Sequence, residues 1–219
     1  DWPALQLLIS GVDLTSFQLN DGRQTLDGNT LTIKKESRLI GLQRPIIAGE
    51  GVPVDSLAPE ALIQADHPRI INLTRKILGE ELDTVISARK IMKWLNAHME
   101  QSLVAGIPSA LEVLDTRTGD CNEHSTLFAA MARSAGIPTR MVVGLVYKEG
   151  RFGYHAWNEV LGSDGWVSID TTWNQLPADV GHIAFLRGGL KEQVRLLPLM
   201  GRIKLNTVGG QNDPDGVAP

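Results

Sequence analysis

Apolar and polar positions change their period along the chain, and each change marks a structural boundary. Within the first fifty residues Thr30-Leu31-Thr32-Ile33 alternates, while Asp21-Gly22 and Asp27-Gly28 are turn signals. This part reads as a small β-rich appendage. Arg44 to Pro59 is rich in Gly and Pro and keeps no period, so it reads as a linker, with a boundary near residues 50–60. The period then becomes helical. Ile70, Leu73 and Ile77 recur on one face behind Pro68, with Asp66 as the expected cap and Gly79 as the stop. A second helix is predicted after Asp83, striped by Val85, Ala88, Met92, Leu95 and Met99. Ser109 and Glu112 have capping-box spacing and open a short helix through Leu114. Cys121 to Ser134 is helical again and is closed by Gly136 and Pro138. Period two then returns in three runs, Arg140 to Tyr147, Tyr154 to Leu161 and Trp166 to Asp170. Gly162-Ser163-Asp164-Gly165 joins the last two as a hairpin. The organisation expected is an appendage over 1–50, a main domain over 51–208 and a Gly, Pro and Asp-rich disordered tail over 209–219.

Composition narrows the class. The 219 residues are 42% hydrophobic and 21% charged, with a mean hydropathy of -0.06, the balance of a soluble globular protein. No run approaches the roughly eighteen apolar residues that a membrane-spanning helix requires. The net charge is -4 and the basic residues are scattered, so nucleic acid is not an expected partner. One cysteine can form neither a disulfide framework nor a thiolate metal cluster, and no metal or cofactor is expected. The thiol is then either inert and buried or reactive. Asp1 stands in what reads as folded sequence. A chain whose leader was removed would be periplasmic or extracellular, and one without a leader cytoplasmic. Further domains of a larger parent protein fit the same start.

The position of that cysteine favours reactivity. Cys121 opens a predicted helix, where free backbone N–H groups and the helix dipole favour a thiolate. Gly119 allows a close approach, Asp120 is a cap, and the Cys121 N–H is a candidate oxyanion donor. A nucleophile of this kind needs a base, and the base needs a group that holds its tautomer. His155, Trp157 and Glu159 share one face of a strand. If Leu161 pairs with Trp166, Asp170 falls opposite Trp157 and diagonal to His155. A one-residue slip would destroy this arrangement. The plainer alternatives are a strand histidine satisfied by a neighbour and an aspartate that caps the turn at Thr171 and Thr172. His124 reads as structural, as does His182. Trp157, Trp166 and Trp173 read as core or groove lining, and Asn122, Glu123 and Glu159 as flanking groups.

Four blocks carry a family resemblance: Arg117-Thr118-Gly119-Asp120-Cys121-Asn122-Glu123-His124, Ala135-Gly136-Ile137-Pro138-Thr139-Arg140, His155-Ala156-Trp157-Asn158-Glu159-Val160 and Trp166-Val167-Ser168-Ile169-Asp170. In this order the chain resembles the transglutaminase-like superfamily over roughly residues 66–185. The resemblance implies an α+β, papain-like cysteine protease fold, with helices packed on an antiparallel sheet and the nucleophile at a helix N-terminus. It also implies Cys121 as nucleophile, His155 as base and Asp170 as orienting acid. The expected activity is thiol-dependent acyl transfer from peptide or side-chain amides through a thioester, hydrolytic rather than cross-linking, on a protein or peptide substrate. The competing expectation is a catalytically silent module of the same fold that binds peptides or proteins.

Overall fold

The computed structural model describes residues 2–37, 39–49, 51–104, 106–148, 150–188, 195–196, 199 and 201–208. The expected tail over 209–219 lies outside them. Contacts gather into two units, one of Asp1–Ser37, Val142–His155 and Ala178–Pro219, the other of Arg38–Met141 and Ala156–Pro177. In chain order the elements are β1 (Ala4–Ser10), β2 (Gln24–Asp27), β3 (Thr30–Lys34), α1 (Pro68–Leu78), α2 (Thr84–His98), β4 (Glu100–Gln101), α3 (Ala110–Thr116), β5 (Thr118–Gly119), α4 (Cys121–Ser134), β6 (Thr139–Lys148), β7 (Arg151–Gly162), β8 (Gly165–Ile169), β9 (His182–Arg187) and β10 (Lys204–Thr207). A four-stranded sheet runs in the order β8-β7-β6-β9, and β6 and β7 pass through both units.

In the first unit a second sheet has the order β10-β1-β3-β2. Leu5, Leu7 and Ile9 of β1 and Leu31 and Ile33 of β3 alternate inward, so the period-two pattern is the cause of a one-faced core. β10 pairs antiparallel with β1 from Leu7↔Thr207 to Ser10↔Lys204. The buried Gln24 amide exchanges two hydrogen bonds with the backbone of Ala184 in β9, donating from Nε2 at 2.9 Å and accepting at 2.6 Å. Within this unit β9 pairs antiparallel with β6.

The second unit packs helices on the β7–β8 hairpin. Apolar stripes of α1, α2 and α3 converge on α4, whose Leu127, Phe128, Ala130 and Met131 are fully buried, and Val160, Val167 and Ile169 close the same core from the strands. A helix buried on nearly all sides explains why small alanines occupy so much of α4. The helix starts follow their caps. Asp83 accepts from Ile86 N–H at 2.8 Å, and Ser109 and Glu112 form the expected box. At α1 the cap is His67, whose Nδ1 accepts from Arg69 N–H, and not Asp66. Pro68 occupies the first helical position, so the preceding residue, whichever it is, becomes the cap. The four-residue linker between β7 and β8 tightens to a two-residue turn at Ser163-Asp164, because Gly162 and Gly165 also pair. The register is the one the sequence reading requires, Leu161↔Trp166 through Asn158↔Ile169.

Candidate active site

Cys121 is the first residue of α4, a helix fixed at its start by a reciprocal cap. Asp120 Oδ1 accepts from Asn122 N–H at 3.1 Å, and Glu123 Oε2 accepts from Asp120 N–H at 2.9 Å. Gly119 has a definite steric cause. A Cβ there would stand 2.2 Å from Glu123 Cβ, so the box closes only over a residue without a side chain. Two residues of β5, Thr118 and Gly119, pair in parallel with Glu100 and Gln101 of β4 and lead the chain directly into the helix.

The thiol of Cys121 is half-buried, and the backbone of Ala156 in β7 favours its ionised form. Burial pushes its pKa up to about 12, with the carboxylates of Asp120, Asp170 and Glu123 adding to the rise and the Ala156 N–H opposing it. The sequence expectation of a thiolate favoured by the helix end is therefore overturned for the isolated thiol. Desolvation and three acidic neighbours outweigh half a unit of dipole charge. Burial likewise raises the Glu123 carboxyl, against the Asp120 N–H it accepts.

Asp170 follows β8 and is fully buried in the same unit. Its Oδ1 accepts from Thr172 N–H at 2.8 Å and Trp173 N–H at 3.2 Å, and its backbone bridges Gln175. The turn-capping role foreseen as its plain alternative is thus real and uses one oxygen. His155 lies in β7 in the first unit, buried, as the residue immediately before Ala156. Its ring packs edge-to-face against His182, with centroids 5.5 Å apart.

The flanking groups sort cleanly. Glu159 is buried and paired with Arg140 at 2.5 Å, and the Arg140 guanidinium lies 4.2 Å over the Trp166 ring, so Glu159 anchors β6 to β7 inside the second unit. Trp157 is core. Trp94 stacks on His98 at 4.5 Å with Arg117 over its ring. His124, one turn beyond Cys121, is buried, and neither of its ring nitrogens closes a hydrogen bond among the described residues. Burial pushes its pKa down, opposed by the Thr171 backbone and the Asp170 and Asp120 carboxylates. The sequence gives no sign of this orphaned ring, because an i+3 histidine on a helix is equally compatible with a satisfied one.

Residues 71–171 match the model of the transglutaminase-like superfamily. The kyphoscoliosis peptidase of Homo sapiens is 29% identical over an alignment of 118 residues that covers 46% of this chain and 17% of that protein. A protein-glutamine gamma-glutamyltransferase of Pseudomonas aeruginosa is 35% identical over an alignment of 78 residues that covers 30% of this chain and 11% of that protein. The chain therefore matches less than a fifth of the length of either relative. The fold of a candidate cysteine protease from Cytophaga hutchinsonii superposes with a TM-score of 0.61, covering 94% of this chain and 86% of that one at 15% identity. At that identity the likeness concerns the fold alone.

Proposed function

Because residues 71–171 belong to the transglutaminase-like superfamily, a group of cysteine hydrolases and acyltransferases, we propose that the chain transfers acyl groups from peptide or side-chain amides through Cys121, with His155 as base and Asp170 as the acid that orients it. The observation that carries the reading is that Cys121 opens a capped helix and that the backbone of Ala156, the residue after His155, acts on its thiol to oppose the rise from burial. A thiol at a helix start and a histidine next in sequence to the residue that acts on that thiol support this assignment. The names of two relatives, a peptidase and a glutamyltransferase, both describe attack on an amide carbonyl.

The raised pKa of the thiol defines the order of events. Cys121 rests as a neutral thiol, and its proton passes to His155 as Sγ attacks the carbonyl carbon. The proton moves from one partner to the other, so no net charge is created. The tetrahedral oxyanion collapses, the C–N bond breaks, and the imidazolium returns the proton to the leaving amine. Water then attacks the thioester carbonyl while His155 takes its proton, the C–S bond breaks, and the imidazolium returns the proton to the Cys121 sulfur as the acid product leaves. Hydrolysis is the outcome proposed.

The test is to trap the thioester. The protein is incubated with glutamine-containing and ordinary peptides, with and without a fluorescent primary amine, then quenched in acid and weighed by mass spectrometry. A mass increment on the peptide that contains Cys121 is expected, together with released ammonia or cleaved peptide and no amine incorporation. Cys121→Ser, His155→Ala and Asp170→Asn should each lower turnover by roughly 10³-fold or more. Incorporated amine would replace hydrolysis by cross-linking. A folded protein that acquires no increment with any substrate class would leave the silent binding module.

A further inference from the structure

His182 opens β9 and pairs with Val146 of β6, and its side chain is wholly buried. Its Nδ1 lies 3.0 Å from Oδ1 of Asp179, and the same oxygen accepts Gly181 N–H at 2.9 Å. A carboxylate oxygen only accepts, so the proton between the two resides on Nδ1 and the tautomer of His182 is fixed. The turn that presents Asp179 is itself pinned. The Arg23 guanidinium donates to the carbonyl of Ala178 at 2.9 Å and to that of Asp179, and pairs with Glu36 at 3.1 Å. A Cβ on Gly181 would stand 2.7 Å from the Tyr147 carbonyl oxygen and 3.0 Å from Asp179 Oδ1, so the turn closes around a residue with no side chain. Backbone, carboxylate and tautomer therefore all hold one imidazole in one orientation. That imidazole meets His155 edge-to-face, with the rings at 61°.

We infer that His182, held by Asp179, is a second positioning residue for His155 beside the orienting acid, an inference that rests on His155 being the base of the proposed reaction. The terminal torsion of a histidine is broad, so a base on a strand needs a neighbour to set its ring plane. Edge-to-face packing supplies a preferred plane, because the positive ring edge seeks the negative face. An error of about 1 Å in a reacting group lowers a rate by about 10²-fold, which is the scale on which such a neighbour acts.

The experiment compares His182→Leu and His182→Phe in the whole chain by NMR of the His155 ring protons, by steady-state kinetics and by thermal melting. His182→Leu is expected to remove the ring-current shift from His155 and to lower kcat by roughly 10- to 100-fold with KM unchanged. His182→Phe, which keeps an aromatic edge, should restore most of both. Asp179→Asn, at a half-exposed carboxyl, is the variant that folds if His182→Leu does not, and it should shift the same His155 signals and lower kcat several-fold. Unchanged His155 signals in His182→Leu and Asp179→Asn would overturn the inference whatever the activity. So would a kcat that falls equally in the Leu and Phe variants and only in step with melting temperature. Should His155→Ala leave turnover intact, the base assignment fails, and the NMR arm still decides whether His182 fixes the ring.

Discussion

At the scale of single residues, charge and burial around Cys121 yield sharp expectations. Asp120 both caps α4 and raises the thiol pKa, and these two roles separate in Asp120→Asn, because asparagine caps as well as aspartate but carries no charge. That variant should melt within a degree or two of the wild type and react several-fold faster with iodoacetamide at pH 8. Unchanged labelling would show that the carboxylate does not act on the thiol. His124 gives a stability prediction of opposite chemistry. Its folded pKa is depressed, so below the ordinary histidine value of about 6.5 the unfolded chain takes a proton that the folded chain refuses. The unfolded state then binds more protons, and stability falls as pH falls. His124→Phe loses no hydrogen bond and should flatten the urea midpoint between pH 7 and 5, where the wild type declines; parallel profiles would refute the assignment. Neither property could be read from sequence. The motif Gly119-Asp120-Cys121-Asn122-Glu123-His124 makes Cys121 legible as a candidate nucleophile, whereas desolvation and the approach of Asp170 to the thiol depend on packing from β8, which no local pattern encodes.

Single elements were the most legible level. α4 spans Cys121–Ser134 as its period indicates, and the β7–β8 register follows from one hairpin signal, because both are decided by contacts a few residues apart. The cap of α1 was misjudged by one residue for a similarly local reason, the strict demand of Pro68 on its predecessor. The sensitive joint is the entry to α4. Gly119→Ala would place a methyl group within 2.2 Å of Glu123 Cβ, so the capping box must open or the helix start must shift. A loss of about 1–3 kcal/mol is expected from chemical denaturation, and acylation of Cys121 should fall further than stability alone accounts for. A variant as stable and as active as the wild type would mean that the Gly119–Glu123 approach is relaxed at no cost.

At the scale of the whole molecule the sequence was least informative. The alternation over Thr30–Lys34 marks a strand, but nothing near β1 announces that its second partner is β10, because pairing across the length of the chain leaves no local trace. Removing residues 203–219 should therefore damage residues far from the cut. It would leave the β1 edge unpaired, with faster amide exchange over Leu7 to Ser10 and a tendency to self-associate. Exchange rates unchanged in that stretch would show that β3 alone holds β1. The same pairing bears on how the protein is made. Some roughly 200 residues separate the two strands, which at ribosomal speeds of about 5–20 residues per second amounts to about 10–40 s. For that interval β1 has emerged without one of its neighbours, and its half-finished edge must be kept from other nascent chains by a chaperone or by its own short length.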